Sequence, residues 1–245
     1  MRTLLRPQWI VLLLALAASL LASPASAAPP YSVTLVNSTG GPIWVGAAVN
    51  ADGSQNLDGL PMLKAGESAT VRIPLGPRNH WRGKFFARQH CTGEPGSNFH
   101  CLVGDCGARP SHCTTGEQPV SLAEFNFDPA DAPAPWYNVS YVNAVNVPVT
   151  INPTNGPPPN GQFCGTAGCP GALLPDCPAA NLRRHPVTGK PMLCVNPNRD
   201  AKTPYSNAIT RNCPKAYSWS KHDQEPGNRV MFSCRDCNKL TVTFH

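Results

Sequence analysis

The chain has 245 residues, of which 41% are hydrophobic and 14% charged, well under the roughly 25% charged residues of an ordinary soluble domain. Its 28 prolines and 20 glycines exclude a coiled coil or helical bundle, and its apolar content excludes a disordered chain. A formal charge of +6, with no block of Lys or Arg, argues against a nucleic-acid partner.

Residues 1–27 read as an export leader. Arg2 and Arg6 precede an apolar run at 10–21, and Ala25-Ser26-Ala27 is a small-residue cleavage site. The apolar run is short for a membrane anchor and Pro24 follows it, so no stable membrane span is expected. The spacing then predicts strands within 31–88, with alternation at 31–37 and 67–73, and further strands at 120–127, 136–142 and 145–151. The last strands fall at 229–233 and 239–244. Residues 91–117 lack periodicity and hold four cysteines. They read as a small disulfide-tied loop. Residues 153–160 (PTNGPPPN) read as a hinge into a loop-rich lobe at 161–225, with helix-like pieces at 171–174 and 204–212. The expected architecture is mainly β. An antiparallel β-sandwich core at about 28–160 and 226–245 carries a disulfide-rich lobe, all within one domain at 28–245.

All 11 cysteines lie beyond residue 90. In an exported chain they form a disulfide framework, and the odd count leaves one over. Cys234-Arg-Asp-Cys237 has C-x-x-C spacing, but no second such pair accompanies it, so Cys234 is read as a bridging residue and Cys237 as the odd thiol. The histidines show no ligand spacing. No metal and no cofactor are expected.

Several separated motifs carry a family resemblance. They are Gly83-Lys-Phe-Phe-Ala-Arg-Gln-His-Cys91, Cys101-Leu-Val-Gly-Asp-Cys106-Gly107, Ser121-Leu-Ala-Glu-Phe125, Asn143-Ala-Val-Asn-Val-Pro148, Thr203-Pro-Tyr-Ser206 and Leu240-Thr-Val-Thr-Phe244. In this order the chain resembles the thaumatin-like proteins, the pathogenesis-related group five family. The resemblance implies bridges Cys91–Cys101, Cys106–Cys113, Cys164–Cys234, Cys169–Cys213 and Cys177–Cys194. It also implies a cleft between sandwich and lobe. Members tie the first strand to the chain end with a bridge; Thr39 and His245 stand there instead, which leaves the last strand to be held by its ladder and packing alone.

The family cleft carries one basic and four acidic residues. By local motif these positions fall on Lys84, Glu124, Asn138, Asn143 and Asp223, so two carboxylates have become amides. Glu124 and Asp223 remain as candidate catalytic carboxyls for glycoside hydrolysis, which needs two. An ion pair of Glu124 with Lys84 or Arg88 is the competing role. Asn138 and Asn143 suit sugar hydroxyls, and Tyr137, Tyr205, Tyr217 and Trp219 offer flat faces to pyranose rings. Asp105 reads as a turn-capping carboxylate. The implied function is a secreted, monomeric defence protein that binds a polysaccharide, cell-wall β-1,3-glucan, with an antifungal role. The alternatives are a weak endo-β-1,3-glucanase and an inhibitor or interaction module acting on secreted hydrolases.

Overall fold

The computed structural model describes residues 31–154, 164–235 and 237–245. The expected leader at 1–27 and most of the hinge at 153–160 lie outside the described residues. The strands are β1 (Ser32–Asn37), β2 (Ile43–Val49), β3 (Met62–Leu63), β4 (Ser68–Arg72), β5 (Trp81–Thr92), β6 (His100–Val103), β7 (Leu122–Phe127) and β8 (Trp136–Ser140). They continue as β9 (Ala144–Val145), β10 (Val149–Pro153), β11 (Ala167–Gly168), β12 (Leu182–Arg184), β13 (Pro191–Val195), β14 (Phe232–Ser233) and β15 (Lys239–Phe244). One α-helix, α1, spans Pro204–Asn212.

Two main sheets face each other. One runs β11-β10-β15-β1-β4; the other runs β14-β8-β7-β5-β2-β3, with β6 paired to the far end of β5. The alternation read in β1 puts Val33 and Leu35 inward. They join Ile151, Val242 and Phe244 of their own sheet, and Val45, Phe85, Phe125, Phe127 and Val139 of the other, in one buried cluster. Each such side chain contributes about 1.5–3 kcal/mol through burial. Period-two geometry then sends the intervening residues of β5, β7 and β8 to the outer face of the larger sheet.

The last strand is held by its ladder and packing, as the absence of a terminal bridge implies. β15 lies inside its sheet, parallel to β1 and antiparallel to β10. The Ser38 amide donates to the Phe244 carbonyl at 2.7 Å, and His245 Nε2 lies 2.9 Å from Thr150 Oγ1. Hydrogen bonding along both edges does the work that the absent terminal bridge does elsewhere.

The second lobe is built on α1 and the β12–β13 hairpin, which reaches the core by pairing β13 with β9. α1 starts where its sequence says it should. Thr203 and Ser206 form a reciprocal capping box and Pro204 opens the first turn, while Tyr205, Ala208 and Ile209 turn inward. The helix-like piece expected at 171–174 is a short 3-10 turn at Leu174–Asp176. Gly168 lets β11 approach β10. Its φ is +77°, and a Cβ there would collide with the Val149 carbonyl oxygen.

Four cysteine pairs are bonded as Cys91–Cys101, Cys106–Cys113, Cys169–Cys213 and Cys177–Cys194. The fifth expected pair, Cys164–Cys234, is bonded as well, and the expectation that needs correction is that of Cys237 as the odd thiol. Cys234 Sγ lies at bonding distance from both Cys164 and Cys237, so Cys237 is not a thiol apart from the framework. The turn Cys234–Cys237, closed by Cys237 N–H donating to the Cys234 carbonyl at 2.9 Å, carries its sulfur back to the bridge.

The loop after β6 is anchored from the sandwich by Arg88, whose side chain is fully buried. Its guanidinium donates to the carbonyls of Arg109 (2.8 Å) and Gly107 (2.9 Å) and lies 3.4 Å from Asp105 Oδ1. Asp105 also accepts from the Cys101 amide at 3.0 Å, a local cap of the loop.

Candidate functional site

The outer face of the larger sheet holds a polar row. Register places Lys84 of β5 beside Glu124 of β7, and Glu124 beside Asn138 of β8. The next row along the strands is Arg82, Asn126 and Trp136. Each residue reaches this face because its inward neighbours (Phe85, Phe125 and Tyr137 among them) are claimed by the core.

Two hollows flank the Lys84–Glu124–Asn138 row and share all three residues. One, of about 400 Å³, is bordered by Asn50, Asn126 and Trp136. The other, of about 320 Å³, is closed on the lobe side by Arg199, Tyr217 and Ser220, and takes in Asn143. Together they make a cleft between sandwich and lobe.

The charges within it are mixed. Lys84 Nζ pairs with Glu117 Oε1 at 2.9 Å rather than with Glu124. Glu124 is half-buried at the floor. Burial pushes its carboxyl above the usual carboxylate range and nearby Glu117 pushes the same way, while Lys84, Arg199 and a hydrogen bond from Asn138 oppose. Glu124 therefore holds a proton to higher pH than an exposed glutamate. Asn138 is 9% exposed, and its Oδ1 has no hydrogen-bond partner among the described residues.

Lys84, Glu124, Asn138, Asn143 and Tyr217 are thus brought together, and two expected site residues are not. Asp223 sits exposed on the 3-10 turn His222–Gln224 and does not line either hollow, so it forms no pair with Glu124 across the floor. The turn points it to solvent. Tyr205 is fully buried in the lobe core, donating its hydroxyl to the Tyr141 carbonyl at 2.6 Å. Tyr137 is likewise buried, its hydroxyl bonded to the Gly165 carbonyl at 2.6 Å, and burial pushes that hydroxyl up to about 12.

Trp136, Glu117 and Arg199 are among the cleft residues that sequence reasoning missed. Trp136 supplies the aromatic face at the rim, held by its Nε1 donating to the Asp131 carbonyl at 2.9 Å. Its signal was present: it shares outward parity with Asn138 and Ser140. Glu117 and Arg199 come from aperiodic segments, and no local pattern marks them.

The fold and this site define a β-sandwich protein with a disulfide-braced lobe and a mixed-charge cleft between the two. The model of the thaumatin family matches residues 37–245, and the chain belongs to that family. It is 31% identical to an osmotin-like protein of Solanum lycopersicum, over 96% of this chain and 96% of the relative. It is 30% identical to a glucan endo-1,3-beta-glucosidase of Prunus avium, over 67% of this chain and 71% of the relative. Among solved structures, a thaumatin-like xylanase inhibitor superimposes with a TM-score of 0.41 at 14% identity, covering 86% of this chain and 97% of the other. No helix among the described residues is long and apolar enough to cross a membrane.

Proposed function

We propose that this is an exported defence protein that binds cell-wall β-1,3-glucan in the cleft, with an antifungal role. The observation that carries the reading is the cleft floor itself: a row of amide, carboxyl and ammonium groups between the Trp136 and Tyr217 rims. Such a floor offers donors and acceptors to hydroxyl groups, and the Trp136 face suits a pyranose ring. The cleft sets two cations, Lys84 and Arg199, against three carboxyls, Glu117, Glu124 and Asp131, so most of its charge is offset, which suits a neutral polymer. Calorimetric titration with soluble β-1,3-gluco-oligosaccharides tests it. The expected result is weak, saturable binding that changes little between low and high salt, because a neutral ligand offers no charge to screen. Absence of heat and of any competition with insoluble glucan overturns the reading.

Glu117 favours a second reading, slow hydrolysis of the same polymer. Glu124, whose carboxyl pKa is raised by burial, would serve as general acid, and Glu117, paired with Lys84, as the second carboxyl. The name of the cherry relative agrees with this chemistry. Release of reducing ends that Glu124→Gln abolishes would establish it; equal release by that variant would exclude it.

A further inference from the structure

The far end of β5 borders a hollow of about 360 Å³ that shares no residue with the cleft. Its size falls within the roughly 300–1,000 Å³ of small-ligand sites. Its walls come from the 39–42 turn, from Trp44 of β2 and from Gln89, His90 and Cys91 of β5. None of the described residues lining it is Asp, Glu, Lys or Arg, so an ionic ligand would find no counter-charge in it. Trp44 is half-buried, and Phe99 braces its indole with ring centroids 6.0 Å apart. Asn146 Nδ2 donates to Gln89 Oε1 at 2.8 Å, which orients the carboxamide and leaves its NH₂ end as the donor toward the hollow. Thr39 Oγ1 donates to Asn37 Oδ1 at 2.7 Å, so toward a ligand it acts as an acceptor.

His90 stands apart in its backbone. Its φ is +54°, in the left-handed region that favours glycine, yet the position carries a large side chain. The ring is placed by an edge contact with His185 of the β12–β13 hairpin, with centroids 4.8 Å apart and planes at 76°. His185 is itself fixed, its Nδ1 accepting from the amides of Val187 (3.2 Å) and Thr188 (3.3 Å). Burial, and after it the neighbouring His185, lowers the His90 pKa. At neutral pH its ring is therefore uncharged and offers one donor and one acceptor nitrogen. A strained residue held from a second lobe at the edge of a hollow is the kind of outlier that marks a binding site.

We propose that this hollow is a second carbohydrate site, shaped for one neutral pyranose, with Trp44 as the stacking face and Gln89, His90 and Thr39 as hydroxyl partners. A pyranose has an apolar face that suits an indole, and adjacent hydroxyls that each donate and accept. A flat heteroaromatic ring also stacks on an indole but carries its polar atoms only along its edge, which makes it the natural competitor to test. Gln89 lies five positions beyond Lys84 on β5, about 17 Å along the strand. The site is therefore separate from the cleft and stands whether or not the cleft binds β-1,3-glucan.

The test is a titration of the isotope-labelled full chain with methyl β-D-glucopyranoside, followed by NMR through the indole Nε1–H signals of Trp44 and Trp136. The two signals report the hollow and the cleft separately. The expected result is a saturable shift of the Trp44 signal with a dissociation constant in roughly the millimolar range, as for a small ligand of ordinary efficiency. His90→Gly removes the imidazole and suits a φ of +54°, so the variant should fold. It should weaken binding at Trp44 by about five- to tenfold, the usual worth of a neutral hydrogen bond. Trp136→Ala should leave the Trp44 response unchanged. No Trp44 shift in the parent, a folded His90→Gly that binds as the parent does, loss of the Trp44 response in Trp136→Ala, or adenosine bound more tightly than the glucoside at Trp44 would each overturn the assignment.

Discussion

Asn138→Asp restores a family-like carboxylate to the cleft floor with almost no change of shape, and its cost follows from the register. Asn138 faces Glu124 across two adjacent strands and donates a hydrogen bond to it. Directly opposed residues hold their Cβ atoms about 5 Å apart. Two carboxylates at about 5 Å, at an effective dielectric of about 20, repel by roughly 3 kcal/mol. The variant also loses the amide donor to Glu124. When both groups are ionised the fold should be destabilised by about 3 kcal/mol, lowering Tm by roughly 6–12 °C for a chain of this size. The sign with pH is set by the direction of the shift. Each carboxyl of the pair has a folded pKa raised above its unfolded value of about 4. The variant thus matches the parent below about pH 4 and loses stability as pH rises through the raised folded value. Thermal unfolding of parent and variant at pH 4 and pH 8 measures this directly. Adding Glu124→Gln should return most of the loss at pH 8. A deficit equal at both pH values, or none at pH 8, would refute the placement of the two groups side by side.

Three other outcomes follow from the fold. Arg88→Met strips the loop after β6 of its buried guanidinium, leaving the carbonyls of Gly107 and Arg109 without that donor. Denaturant titration should show a loss of about 3–5 kcal/mol, the usual consequence of breaking a buried charged network. Gly168→Ala forces a Cβ into the left-handed region against the Val149 carbonyl, and the same titration should show a loss of about 1–3 kcal/mol. Burial lowers the pKa of His90, His222 and His245. The unfolded chain binds protons on these groups more readily, so their stability contribution is complete above about pH 6.5 and is lost as pH falls below it. Unfolding free energy measured from pH 7.5 to 5.5 should fall, and His245→Gln should flatten the slope.

The elements that bury one face were legible because burial imposes a period. Leu122–Phe127 alternates from Ala123 onward, which turns Glu124 outward, and the pairing of Glu124 with Asn138 puts the amide on the same face. α1 was legible because its cap, Pro204 and inward face agree. What escaped is what pairing over long distances decides. Nothing local says that β15 inserts between β1 and β10, 87 or more residues away in sequence. Glu117 reaches Lys84 across 33 positions from a segment with no pattern. Asp223 was placed by its distance from a motif, and a single turn decides whether such a residue faces the cleft or solvent. Tyr205 was read as a flat face for a pyranose ring, yet its ring is buried in the lobe and its hydroxyl donates to the Tyr141 carbonyl.

The central claim is that the outer face of the larger sheet is a sugar-binding floor with Trp136 as its platform. Retention on insoluble β-1,3-glucan, measured for the parent and for Trp136→Ala, tests it most directly. Trp136 is half-buried at the rim, so the variant should fold and melt close to the parent. The expected result is parent protein retained by the glucan and released by soluble β-1,3-gluco-oligosaccharide, with the variant losing on the order of tenfold in affinity. That is the loss of one stacking contact worth about 1.4 kcal/mol. A parent that flows through the glucan, or a folded Trp136→Ala retained as well as the parent, would contradict the account.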